Sequence, residues 1–434
     1  MARRGAKRSA SRELSSSRAG KKPSPSGAKS RSKSPSPGPS RPSTGGVAAS
    51  SGPAPRLAKS NGLLFLTPPK TRRVQPDSDL PGAINQFPDV KFPKSKGFEN
   101  RAVDCYRSAV LAALFHVPGF YRYMGMLHRD CHLKGAQCLL CRLQDLCYNY
   151  YAAEDPKKAG GVAKAPPRLY KKFHEAVELN LPEFYNELKQ NIQVNAQSDP
   201  REFLEYLLRE QIRPKQSPAD SISYEQMFEL ETKQSWTCAD CGVTRTNPSE
   251  ETMHAGFYVR LQVPDARNGR SLRLFMEQSE LFSANVERRC DTAQCIIAER
   301  AFGRDGPVRR VTTTIVRAPE VLFVGLQRID PNFLVKDFTR VNYPEVLDLS
   351  PWVESTEIAG DLNYRLDAVV AHKGDSIDSG HYIAAVRKHY EDGFEIVDDD
   401  NLVGPTQDGS FRELQRPQSF SEEAQAMILM YSKL

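Results

Sequence analysis

Gly97-Phe98-Glu99-Asn100-Arg101-Ala102-Val103-Asp104-Cys105-Tyr106-Arg107-Ser108-Ala109-Val110-Leu111-Ala112-Ala113-Leu114-Phe115-His116 is where the chain changes from polar, irregular sequence to patterned sequence. From Cys105 onward, Ala109, Val110, Ala113, Leu114 and Val117 recur on one side at helical spacing, which predicts an amphipathic helix opening at Cys105. A cysteine at the start of a helix is notable because the thiolate is the reactive form. A helix N-terminus and a nearby imidazolium are two means of stabilising that form.

Downstream, Asp199-Pro200-Arg201-Glu202 offers a capping residue, Pro at the first helical position and Glu at the third. Phe203, Leu204, Leu207 and Leu208 then supply an apolar face. Val321–Leu326, Leu366–Val370, Tyr382–Val386 and Phe394–Val397 are short β-type runs. Helices lead and strands follow, so the expected class is α+β.

Upstream the composition is different. Residues 1–60 hold fourteen Lys or Arg against one acid, Glu13, so the rest of the chain is net acidic, because the whole carries only +7. The segment is rich in Ser and Pro and nearly devoid of aliphatic and aromatic side chains before Leu57. It cannot bury enough apolar surface to offset the entropy of ordering, so 1–60 is expected to be a disordered basic tail. Ser-Pro pairs at Ser24, Ser34 and Ser36 and the basic runs suit an import-receptor or nucleic-acid contact, favouring a nuclear over a cytoplasmic location. Residues 61–96 carry prolines without a clear period and are expected to be a linker, leaving 97–434 as the folded domain. No apolar run is long enough to span a membrane and the N-terminus lacks a signal-peptide core, so a soluble intracellular protein without a membrane partner is expected.

The imidazole that a Cys105 nucleophile needs must come from far along the chain. His381, in Asp378-Ser379-Gly380-His381-Tyr382, follows a glycine that permits a tight turn and opens an apolar run. A carboxylate must then orient the ring; Asp398, Asp399 and Asp400 end the next run, and Asp398 directly follows apolar Val397. Two further cysteine pairs, Cys238/Cys241 and Cys290/Cys295, have the spacing of a structural tetrathiolate zinc site. Cys131, His132, Cys138 and Cys141 carry metal-ligating chemistry too, but the adjacency of Cys131 and His132 leaves a second zinc open. Cys147 has no evident partner and reads as a small packed hydrophobe.

Several blocks together resemble those of the ubiquitin-specific proteases, the papain-like ubiquitin carboxyl-terminal hydrolases. Gly97–Tyr106 resembles the cysteine box of that family; Gln197–Leu204 its Gln-Asp box; Tyr343–Leu349 the strand leading toward its histidine box; Tyr364–Val403 that histidine box; and Ala426–Tyr431 its closing strand. The blocks occur in family order and span about Gly97 to Leu434. The resemblance implies a thumb, palm and zinc-ribbon fingers, the fingers at about 225–320, and cleavage after the C-terminal glycine of ubiquitin. By the same resemblance Cys105 is the nucleophile, His381 its base, Asp398 the orienting acid, Asn100 an oxyanion-hole side chain and Asp399 an auxiliary polar residue. Asp199, Gln197 and Tyr382 match ubiquitin-contacting positions, and zinc is structural only. The chain departs from the pattern at Ala102, Asp104, Arg107, Ser108, Ala112, Ser198, Pro200 and Phe394. Two other readings are a catalytically weak or silent ubiquitin-binding scaffold, and a zinc-stabilised protein binding nucleic acid through its tail.

Overall fold

The computed structural model describes residues 97–100, 103–127, 138–150, 167–180, 197–213, 222–246, 252–254, 257–260, 270–278, 283–287, 290, 292–293, 295–296, 308–328, 336–339, 341–353, 362–374, 379–388, 393–399, 401–405 and 424–434. The tail, the linker, Cys131 and His132 lie outside the described residues.

The helix expected at Cys105 is present as α1, Cys105–Phe115, but it is not one-sided: all of its residues are buried. Ala109, Ala112 and Ala113 let neighbouring elements approach closely on more than one side, so the helix runs through the core. Around it stand α2 (Pro118–Met126), α3 (Leu139–Tyr150) and α4 (Pro167–Asn180). The helix expected after Asp199 is α5, Pro200–Glu205; the Asp199 carboxylate accepts from the Arg201 N–H at 2.8 Å, and the helix continues as a π-helical stretch, Tyr206–Ile212. Short α6 (Tyr224–Phe228) opens with a Ser223/Gln226 capping box, and α7 is Leu272–Gln278.

The strands are β1 (Leu230–Cys238), β2 (Thr244–Thr246), β3 (Thr252–His254), β4 (Phe257–Arg260), β5 (Arg270–Ser271), β6 (Ser283–Glu287), β7 (Val308–Arg317), β8 (Val321–Gln327), β9 (Val341–Asn342), β10 (Val346–Asp348), β11 (Asn363–Lys373), β12 (His381–Arg387), β13 (Phe394–Asp398), β14 (Asn401–Pro405) and β15 (Ala424–Lys433). Among the described residues the main sheet runs β14-β13-β12-β11-β15-β8-β4, with β10 beside β11. Both of its faces are covered, which explains why β12 reads as an apolar run and not as an alternation. Tyr382, Ala384 and Val386 join the core shared with α1 to α5, while Ile383 and Ala385 join a second core with Leu272, Phe275 and Met276 of α7. Buried Arg328, just past β8, donates to the carbonyls of Ala426, Asp337 and Thr339 and so ties segment 336–339 to β15.

A second sheet, β2-β1-β7-β6 with β3 beside β1, is a thin ribbon. β1 and β7 pair antiparallel out to Cys238 opposite Arg309, and most of β1 between Leu230 and Cys238 is only half buried. This ribbon owns little core, so its outer end needs another source of stability.

Candidate active site and cysteine cluster

Three elements converge on Cys105. The first is α1, whose initial residue is Cys105 itself, 1 % exposed. The second is β12, beginning at His381. Gly380 before it has φ +146°, and a Cβ there would strike the Lys373 carbonyl and the His372 ring, so the tight entry into β12 requires glycine. The third is the end of β13, where Asp398 closes the strand and Asp399 turns back toward β14 with φ 51°, a left-handed conformation that Asp tolerates better than most side chains.

His381 Nε2 meets Asp398 Oδ1 at 2.5 Å, and the imidazole also hydrogen-bonds Cys105. The Asp398 hydrogen bond is the largest reason the His381 pKa is pushed up to about 10; the bond with Cys105 adds to it, burial opposes it, and the Asp399 and Asp398 charges reinforce it. The same bond holds the Asp398 carboxyl below its ordinary value. Lys373, paired with His381 across the β11–β12 register, puts its Nζ 3.3 Å from Asp398 Oδ2 and fixes the carboxylate from behind.

Asn100 and Asp399 come together as well. Asn100 Nδ2 donates to Asp399 Oδ2 at 2.9 Å, that oxygen lies 3.6 Å from His381 Nε2, and the Asp399 carbonyl accepts from Phe98 N–H at 2.8 Å. The segment before α1 is thereby bound to the turn that carries the acid.

The three residues matched to ubiquitin contacts occupy different environments. Asp199 caps α5 and forms a close two-oxygen ion pair with Arg201, so part of its charge is already compensated. Tyr382 is 1 % exposed, its ring 4.5 Å from that of His372, and it offers almost no surface to a macromolecule; it belongs to the wall of the site. Gln197 reaches inward: its Nε2 lies 3.6 Å from Cys105 Sγ and donates to the Gly380 carbonyl.

Behind these residues are supports that the sequence did not mark. Buried Lys336 donates to His372 Nδ1 at 2.9 Å and to the carbonyls of His372 and Gly374, bracing the end of β11 that pairs with the start of β12. Burial, then the neighbouring ammonium, lowers the His372 pKa to about 4 and keeps that ring neutral. On the other side of Cys105, buried Arg107 donates to Tyr106 Oη at 2.8 Å and meets His174 Nδ1 at 2.7 Å, with Asp104 Oδ1 3.5 Å away. Since Arg107 can only donate, His174 Nδ1 accepts, and the ring proton sits on Nε2, 4.0 Å from Asp104 Oδ2.

At the outer end of the ribbon Cys238, Cys241, Cys290 and Cys295 place four sulfurs within 4.8 Å of one another, a cluster suited to holding a metal ion. Thr292 Oγ1, which spacing alone did not single out, lies 3.3 Å from Cys290 Sγ and 3.5 Å from Cys241 Sγ. Cys138 is buried just before α3 and Cys141 lies half-buried on it. Cys147 is fully buried in the main core, and burial pushes its thiol pKa up.

Comparison with known proteins agrees with this geometry. The family profile described as "Ubiquitin carboxyl-terminal hydrolase" matches residues 96–431. Ubiquitin carboxyl-terminal hydrolase 17-like protein B of Mus musculus is 24% identical over 318 residues, covering 70% of this chain and 58% of that protein. Ubiquitin carboxyl-terminal hydrolase 10 of Saccharomyces cerevisiae is 25% identical over 368 residues, covering 71% and 44%. The chain thus spans about half the length of the curated relatives it matches. Among solved structures, the SAGA Ubp8/Sgf11/Sus1/Sgf73 DUB module bound to ubiquitin aldehyde superposes with a TM-score of 0.58 at 18% identity, covering 78% of this chain and 69% of that one; at that identity the likeness shows the fold. A profile match running from just before the Asn100 segment to within β15, on a fold of the same kind, establishes that the chain belongs to the ubiquitin carboxyl-terminal hydrolase family.

Proposed function

We propose that this chain is a cysteine-type deubiquitinase, cleaving the peptide or isopeptide bond after the C-terminal glycine of ubiquitin. The observation that carries this reading is the single constellation of Cys105, His381 and Asp398, in which one imidazole contacts both the thiol and a carboxylate. The Cys105 thiolate attacks the glycyl carbonyl carbon; a C–S bond forms and the carbonyl electron pair moves to oxygen, where hydrogen-bond donors near Asn100 and α1 stabilise it. The imidazolium of His381 protonates the leaving amine as the C–N bond breaks. Water then gives a proton to His381 and attacks the thioester, and the tetrahedral species expels the thiolate. Asp398 orients the ring throughout.

Ubiquitin is the partner this reading requires, with Asp199 and the residues lining the Cys105 cleft as contacts. The four clustered cysteines suit structural zinc: Cys238–Cys295 and Cys241–Cys290 sulfur separations of 3.6 and 3.7 Å match the edge of a tetrahedron with Zn–S bonds of about 2.3 Å. Zinc bound there would lock the outer ribbon, and the chemistry at Cys105 does not pass through it. The basic composition of residues 1–60 supports a nuclear import or nucleic-acid contact, tested by salt-sensitive binding of the isolated segment.

Hydrolysis of a ubiquitin C-terminal amide by the wild type, and its loss in Cys105→Ala, tests the proposal. Tight ubiquitin binding without turnover in either protein would instead assign the chain to the binding scaffolds.

A further inference from the structure

Gln197 touches the nucleophile itself, although its place in the sequence matched a contact for ubiquitin. Its backbone is held near Cys105 because Asp199, two residues on, caps α5. Its amide nitrogen carries two hydrogens. One is given to the Gly380 carbonyl, which fixes the amide plane against the turn that precedes His381, and the nitrogen also lies 3.6 Å from Cys105 Sγ as a donor to it. Asn100, the side chain matched to the oxyanion hole, directs its amide to Asp399.

We infer that Gln197 is a catalytic residue of the hydrolysis, donating from Nε2 to the oxyanion that forms on the attacked carbonyl; this deepens the deubiquitinase reading and rests on it. When Sγ bonds to the carbonyl carbon, the new oxyanion is two bonds from the sulfur. A donor already seated against that sulfur is within reach of the ~3 Å separation such stabilisation needs. In the resting enzyme the same N–H rests on the thiol, so it transfers to the oxyanion as charge leaves sulfur for oxygen. The bond to Gly380 keeps the donor in place beforehand, which is how a preorganised donor lowers a barrier without having to be ordered during the reaction.

Gln197→Met keeps the length of the side chain and removes both N–H groups. Its kcat for a ubiquitin C-terminal amide is expected to fall about 10²-fold, the cost of deleting one oxyanion donor, with KM changed less than threefold. Affinity for a ubiquitin C-terminal aldehyde, whose adduct carries the oxygen in question, should weaken with kcat, while affinity for unmodified ubiquitin holds. Alkylation of Cys105 by iodoacetamide across pH separates this role from a merely structural one, because that displacement forms no oxyanion; loss of the hydrogen bond to sulfur should change its rate at most a few-fold, far less than kcat changes. A rise in KM and in the dissociation constant of ubiquitin at constant kcat would return Gln197 to substrate contact and overturn the inference. A faster Gln197→Met enzyme would show that the side chain obstructs the cleft, and a collapsed alkylation profile would show that it only props the His381 turn; each also overturns it. Failure of wild type to turn over would remove the deubiquitinase reading and the inference together, whereas normal wild-type turnover with an unaffected Gln197→Met removes the inference alone.

Discussion

Asp104 and Arg107 both depart from the family pattern, and the structure shows that they answer one another. The guanidinium is 2 % exposed and lies among Tyr106, His174 and the Asp104 carboxylate, while Ser108, another departure, shares a 2.6 Å hydrogen bond with Tyr170. The partners Tyr170 and His174 both come from α4, so these unusual residues form one polar contact between α1 and α4. Asp104→Thr leaves the buried guanidinium short of its carboxylate and should cost about 2 kcal/mol, between the values for exposed and buried pairs. Denaturant unfolding of Asp104→Thr, Arg107→Met and the double variant checks this: the double should lose less than the sum of the singles. Strict additivity would show that the pair does not couple. A second prediction concerns pH. The folded pKa of His381 is raised from 6.5 to about 10, so its contribution to stability is fully present below 6.5 and lost as pH rises through about 10; that of Asp398, whose pKa is depressed, is present above 3.8 and fades as pH falls. The Tm deficit of Asp398→Asn should therefore be largest between about pH 4 and 6.5 and shrink toward pH 10, measured by thermal scans. A deficit that grows with pH would contradict the assignment.

At the scale of elements, the outer ribbon depends on its cysteines. Each chain should hold at least one zinc ion, and one should be lost in Cys238→Ser/Cys241→Ser, with amide exchange rising in β1, β2 and β7 while Cys105 remains open to alkylation, since there the binding energy of the ion is folding energy. Wild-type protein free of zinc with a protected ribbon would refute this. The elements around the site were readable from sequence to different degrees. The Asp199 cap, Pro200 and the apolar runs of β8, β11, β12 and β13 are local signals, and each produced the expected element. α1 was visible as a helix, but its complete burial was not, because a helix with Arg107 and Ser108 in its first turn looks half solvated until α4 supplies their partners. The π-helical continuation of α5 leaves no mark in the apolar spacing. Lys373 acts on Asp398 only through the β11–β12 register, and Lys336 acts on His372 from a separate segment, so neither role is encoded nearby in the chain.

Across the whole molecule, the site is a junction between a helical layer and the end of a sheet. Cys105 belongs to the first and His381, Asp398 and Asp399 to the second; hydrogen bonds from Phe98 and Asn100 to Asp399 hold the two together. A braced path runs from β15 through Arg328 to segment 336–339 and through Lys336 to the carbonyls beside the His381 turn, so the position of the His381 imidazole is set by contacts far from it in sequence. The cysteine cluster sits at the outer end of the ribbon, and Cys105 on the helical layer is not part of it. The central claim is that this junction makes Cys105 a nucleophile directed at the end of ubiquitin. It is tested most directly by incubating the full chain under reducing conditions with ubiquitin bearing a C-terminal thiol-reactive group and mapping the adduct by mass spectrometry. The account predicts one ubiquitin joined to Cys105, greatly slowed in His381→Ala and absent in Cys105→Ala; no adduct with ubiquitin still bound, or an adduct on another cysteine, would contradict it.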